Sequence, residues 1–167
     1  MSVTVMLGAA AAKPPAVDYR WDADTDILTA HVRDVRAGDG MSGSVEIEGS
    51  DGSWLILDVR GGRLAAVEVA VWPEVKIVGT LAPPAAPLTA VATIPARPSQ
   101  PGIVSVEVDT RLTAEADAAE QTIHFRLGNQ RVASVVYAAK DLLLELDERR
   151  KLVGVWMLNV PPFPSDP

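Results

Sequence analysis

The sequence predicts a mainly β protein. Two pseudo-symmetric antiparallel units of four or five strands form one sandwich or barrel-like body with little helix. Three observations predict this. Hydrophobic residues make up 48% of the chain but aromatics only 5%, so the apolar mass is Val, Leu, Ile and Ala in short runs. Such runs suit pleated, half-buried surfaces. Turn signals punctuate them about every 8–12 residues, as in sandwiches and barrels. A strand–turn–strand pattern also occurs once in each half.

The elements follow in order. The first fifteen residues read as a first strand or tail rather than a signal peptide, because a basic leading region is missing and Lys13, Pro14 and Pro15 break the apolar run. Residues 17–21 and 27–33 flank a turn holding Asp22, Asp24 and Asp26, which suggests a hairpin. Residues 36–40 form a loop, and residues 44–48 alternate apolar and polar like a half-buried strand. Residues 49–52 are a tight turn. Residues 54–59 and 64–71 are strands joined through Gly61 and Gly62, which take positive φ without steric cost.

Residues 83–101 carry six prolines, at 83, 84, 87, 95, 98 and 101. Proline lacks the donor that a central strand needs. This stretch reads as a crossover between halves, and Leu88, Val91 and Ile94 suggest that it lies along the protein surface. Residues 103–109 then alternate again, with Val104, Val106 and Val108 on one face. Residues 114–120 read as the one helical turn, with Thr113 as N-cap. Strands are expected at 122–127, 131–137, 142–146 and 152–160, before a proline-rich tail. The chain thus divides into a first repeat with its leading strand or tail (1–82), a linker (83–101) and a divergent second repeat with its tail (102–167).

The repeat rests on two pairings. Residues 54–59 leading into 63–69 match residues 142–147 leading into 151–157, each a strand, a turn, a basic residue, Leu and a second strand. The hairpin of residues 19–28 finds its counterpart in 124–132. Asp22, Asp26 and Glu68 have no polar match in the second copy.

Trp21, Asp22, Asp26 and Leu28, then Gly62, Arg63, Leu64, Val67, Glu68 and Val69, form an acidic hairpin followed by a Gly-Arg-Leu strand. In this the first copy resembles the small bacterial domains called DUF2283. The second copy echoes it in Lys151, Leu152, Val153, Gly154 and Val155, but has Trp156 where the family has Glu, and Gly128 and Arg131 in place of the acidic turn. The resemblance implies a β-rich bacterial fold, brings no activity with it, and leaves partner-binding or antitoxin-like roles open.

Charge and composition exclude several classes. The net charge is −7, with 7 Lys/Arg against 12 Asp/Glu in residues 1–82 and 8 against 10 in the rest. A phosphate backbone would be repelled, so nucleic acid is not an expected partner. The absence of cysteine removes disulfides, thiolate metal sites and thiol nucleophiles. No run approaches the ~20 apolar residues of a membrane span, and a soluble, cytoplasmic protein is expected.

No catalytic, cofactor-binding or metal-binding set emerges. Asp22, Asp24 and Asp26 resemble the start of a calcium loop. However, Ile27 and Arg33 stand where such a loop needs Gly and an acid, and Asp also favours ordinary turns. His31 and His124 both fall in strands. Glu68 sits in an apolar strand, where alternation turns it outward while Val67, Val69 and Val71 face in. The large residues are the most informative. Trp54, Trp72, Trp156 and Phe163 are the interface candidates, and Trp21 belongs with them; for each tryptophan a core plug is the other reading.

The expected function is a non-enzymatic interaction, scaffold or accessory subunit that binds a protein partner or forms a homo-oligomer. Sheet edges, the Pro-rich segment or the tail would serve as the contact. The alternative is a small-ligand-binding sandwich or barrel with a pocket between the two repeats near the tryptophans, discriminated by a cavity of a few hundred Å3. An enzyme using carboxylate acid–base chemistry comes third.

Overall fold

The structure is a computed structural model that describes residues 2–11, 13–96 and 103–164. Among the described residues it contains fourteen β-strands and no helix. In chain order these are β1 (Met6–Ala11), β2 (Val17–Asp22), β3 (Ile27–Val32), β4 (Ser42–Gly49), β5 (Trp54–Arg60), β6 (Arg63–Val71) and β7 (Val75–Ile77). There follow β8 (Ala90–Thr93), β9 (Ile103–Thr110), β10 (Leu112–Ala116), β11 (Ile123–Leu127), β12 (Ser134–Ala139), β13 (Leu142–Leu146) and β14 (Leu152–Met157).

Two six-stranded sheets pack together as a sandwich, without closing into a barrel. The first has the order β2-β3-β6-β5-β4-β9 and the second β12-β13-β14-β11-β10-β7. A two-stranded ribbon, β1 with β8, lies beside them. Alternation builds the core. In β3, Leu28, Ala30 and Val32 are buried, and in β11 Ile123, Phe125 and Leu127 are. Residues from both sheets join one continuous hydrophobic cluster, in which Phe125, Leu28, Ile47 and Leu55 are fully enclosed. Each such side chain contributes about 1.5–3 kcal/mol on leaving water.

The two sheets share one connectivity. Five strands run in the order first, second, fifth, fourth, third: β2-β3-β6-β5-β4 in one sheet and β10-β11-β14-β13-β12 in the other. The cross-strand registers put them in correspondence. Leu28 opposes Val69 as Ile123 opposes Met157, and Leu55 opposes Val69 as Leu142 opposes Met157. Glu68 therefore corresponds to Trp156, and Asp58 to Glu145. The sixth strand of each sheet comes from across the linker. Strand β7 pairs in parallel with β10, and β9 pairs in parallel with β4 over eight residue pairs.

Two expectations are corrected. Residues 114–120 are not a helical turn: Leu112, Ala114 and Ala116 alternate inward along β10, which is hydrogen-bonded to β11. With four Ala and two Glu among residues 114–120 the local propensity is helical, but the period is two, and packing decides. The counterpart of the β2–β3 hairpin is consequently β10–β11, one hairpin earlier than residues 124–132. In this register Asp22 matches Asp117, so Asp22 does have a polar equivalent. Asp22 Oδ1 accepts from the Asp24 N–H (3.0 Å), and Asp117 Oδ1 accepts from the Gln121 and Thr122 N–H groups (2.9 and 3.2 Å).

The described part of the linker takes part in the sheets' edges. Leu88 bridges Val136, and β8 runs on to Ile94, whose N–H donates to the Gly62 carbonyl (2.8 Å). Residues 97–102, with Pro98 and Pro101, lie outside the described residues. Gly62 is required where it stands. Its φ is +81°, and a Cβ there would sit 2.5 Å from the Thr93 methyl group. It closes the tight β5–β6 turn and lets β8 approach.

Candidate functional site

The outer face of the first sheet is the most distinctive surface. Strands β4 and β9 lie in parallel with Val45, Ile47, Val106 and Val108 turned into the core. Alternation then points the residues between them outward, and the register places Glu46 beside Glu107 and Glu48 beside Asp109. Like charges directly opposite one another on a sheet are destabilising. The row continues from Glu46 through Ile56 to Glu68. Ser105 relieves one of these carboxylates: its hydroxyl donates to Glu46 Oε2 (3.0 Å). Arg60 pairs at 3.9 Å with Asp58, one row away.

Trp54 stands in this acidic setting, opposite Glu48 on β4 and Val71 on β6. It is half-buried, and its indole N–H has no hydrogen-bond partner. Strand β9 ends the sheet. Among the described residues no strand pairs with its free edge, where Ser105, Glu107 and Asp109 are exposed. An unpaired strand edge is a template for another strand, and charged residues along it restrict which strand can add.

The other large residues fall into two further groups. Trp21 stacks on Trp72 (centroids 5.7 Å apart, planes at 18°) and meets Phe163 edge-on (5.2 Å), while Trp72 leans on core Phe125 (5.7 Å). Both indoles are satisfied, Trp21 by the Pro161 carbonyl (2.8 Å) and Trp72 by the Asp26 carbonyl (2.7 Å). Tyr19 adds to this seam between the sheets. Its hydroxyl donates to the Asp141 carbonyl (2.5 Å) and accepts from the Leu158 N–H (3.2 Å). Burial pushes its phenol well above the usual range. Trp72 and Phe163 thus come together, and Phe163 stays 45% exposed.

Trp156 is on the outer face of the second sheet, 5% exposed and stacked on His124 (4.1 Å, 14°). His124 Nε2 is 2.5 Å from Glu145 Oε1, and their side chains are only 14% and 7% exposed. Burial alone would push the Glu145 carboxyl up. The hydrogen bond and charge of His124, helped by Trp156 and Arg126, outweigh it and hold the group below the usual carboxylate value. The Trp156 indole faces this carboxylate without closing a hydrogen bond of normal geometry. Gly154 makes the arrangement possible, since a Cβ there would lie 2.0 Å from Glu145 Oε1. Sequence reasoning missed this pair. The available signal was a lone acid in the Leu142–Leu146 run of leucines, opposite a glycine in the next strand.

The remaining candidates stand apart. Asp22, Asp24 and Asp26 are exposed in the β2–β3 turn, and Asp22 caps it. Among the described residues no three His, Asp or Glu side chains converge as a cation site. His31 is exposed on β3 opposite Asp18, and Glu68 lies on the outer face opposite Thr29. No helix among the described residues is long and apolar enough to cross a membrane. In comparisons with known proteins, no family model and no curated protein matches the chain.

Proposed function

We propose that this chain is a non-enzymatic interaction module that takes up a basic, extended segment of a partner protein along the free edge of β9. The observation that carries the reading is the pairing of like charges beside that edge, Glu46 with Glu107 and Glu48 with Asp109, with no cation in their rows nearer than Arg20 on the far strand β2. A segment adding to β9 gains main-chain hydrogen bonds. Lys or Arg at its outward positions would neutralise Glu107 and Asp109. A second copy of β9 would instead bring Glu107 and Asp109 against their own kind, which disfavours self-association through this edge.

A duplicated, DUF2283-like origin belongs to the same reading. It is supported by the shared strand order of the two sheets and by the Gly62, Arg63 and Leu64 motif at the start of β6. The test is fluorescence anisotropy with a labelled ten-residue peptide that alternates Val and Arg, at low ionic strength. Binding should weaken by about tenfold or more with Glu107→Lys combined with Asp109→Lys. A Val–Glu peptide should not bind. Equal binding of the Val–Arg peptide by the doubly reversed variant would overturn the proposal.

A further inference from the structure

A cavity of about 370 Å3 lies where the two halves and the β1–β8 ribbon meet, and no β9 residue lines it. We propose that it binds an apolar monocarboxylate of the size of a medium-chain fatty acid.

Its floor is aliphatic. Val5, Val32, Leu64, Ile94 and Leu144 line it, drawn from the leading segment, both sheets and the linker. Strand β8 closes one side, held by the hydrogen bond from Ile94 to Gly62. The volume falls within the range of ligand pockets and accommodates about a dozen non-hydrogen atoms at protein packing density. Polar groups sit only at particular places on the wall, as ligand sites require.

The charged lining has the opposite sign to the protein. The chain carries −7, yet Lys13, Arg36 and Arg63 line this cavity against one carboxylate, Asp34. None of the three cations lies within salt-bridge distance of an acid among the described residues. Arg63 is positioned by its neighbour: Nη1 donates to Thr93 Oγ1 on β8. A guanidinium has five N–H donors in a planar fork that matches a carboxylate. A local net charge of +2 over an aliphatic floor selects a ligand with one anionic head and an apolar body. A nucleotide would outgrow the cavity, and a bare inorganic anion would leave the floor unfilled.

The test is isothermal titration calorimetry of the full chain with sodium decanoate, with decanol and acetate as ligands that lack the charge or the tail. Decanoate should bind at one site with Kd of about 10–100 μM, and decanol and acetate each at least about tenfold more weakly. Arg63→Gln should weaken decanoate about tenfold. Ala138→Phe, which fills the cavity from β12, should abolish binding while near-ultraviolet circular dichroism shows a native fold. If Ala138→Phe does not fold, Arg36→Gln on the exposed rim carries the same test, with a severalfold loss expected. Absence of decanoate binding below 1 mM (about −4 kcal/mol) overturns the proposal. So does decanol binding as well as decanoate, or undiminished binding by folded Ala138→Phe or Arg36→Gln protein.

Discussion

Replacing His124 by alanine removes the partner of a carboxylate that is nearly enclosed. Glu145 is 7% exposed at its side chain, and its hydrogen-bond partner is the imidazole 2.5 Å away. Breaking a buried pair by deleting one member costs about 3–5 kcal/mol, because the remaining charge is left unpaired. His124 is itself 14% exposed, so some water can enter and the lower end applies. Loss of the stack on Trp156 adds about 0.5–1.5 kcal/mol. His124→Ala should therefore cost about 3.5–4.5 kcal/mol, a fall in Tm of about 7–18 °C for a chain of this size. Glu145→Gln, which keeps shape and a hydrogen bond, should cost about 1–2 kcal/mol. The sign of the pH dependence separates an ionic role from simple packing. Glu145 is held below its ordinary carboxylate value in the folded chain. Its contribution is thus fully present above that value and is lost as pH falls through the folded one. Without His124, burial alone pushes the carboxyl up, which reverses the trend. The gap between wild type and His124→Ala should narrow as pH falls from 6 to about 4. Urea denaturation read by tryptophan fluorescence measures both quantities. A penalty below about 1 kcal/mol, or a gap that stays constant with pH, would refute the reasoning.

Two further outcomes check the seam and the turn. Tyr19→Phe should cost about 1–2 kcal/mol by calorimetry, since it leaves the Asp141 carbonyl and the Leu158 N–H without their shared partner; no change would mean that water replaces the hydroxyl. Gly62→Ala should cost about 2 kcal/mol or more in urea denaturation, because the residue combines φ of +81° with a Cβ site 2.5 Å from Thr93. Recovery of that loss by Thr93→Ala would assign part of it to the methyl contact rather than to φ.

Most of the sheet was legible because its strands alternate cleanly. The buried residues of β3, β4, β5 and β11 occupy every second position, and β13 matched its expected bounds. What was not legible is non-local. Strand β10 has helix-forming residues and a short length, and only its neighbours β11 and β7 make it a strand. Nothing along the chain announces that β7 pairs with β10, or β9 with β4, across the linker, because parallel pairing is set by tertiary packing rather than by a turn. The His124–Glu145 pair spans 21 residues and depends on register, so a one-residue slip would place the two on different faces. The four interface candidates could be chosen by size, but separating the acidic setting of Trp54 from the stacked, buried Trp156 required the cross-strand partners.

The shared strand order carries two different outer faces. The inward positions are interchangeable aliphatics in both sheets, Val69 against Met157 and Leu55 against Leu142, so the shared strand order needs only volume and alternation. The outward positions have diverged. Where the first sheet has Glu68 beside Thr29, the second has Trp156 beside His124; where the first has Asp58 paired to an exposed Arg60, the second has Glu145 paired to a buried histidine. One outer face is thus closed by its own stacked and paired side chains. The other remains charged, only partly relieved by Ser105 and Arg60, and is bordered by an edge with which no strand pairs among the described residues. A face that satisfies itself adds stability, whereas a face that carries unrelieved like charges costs stability until something basic covers it. That asymmetry, on two sheets of the same connectivity, supports the first sheet as the face for the proposed partner.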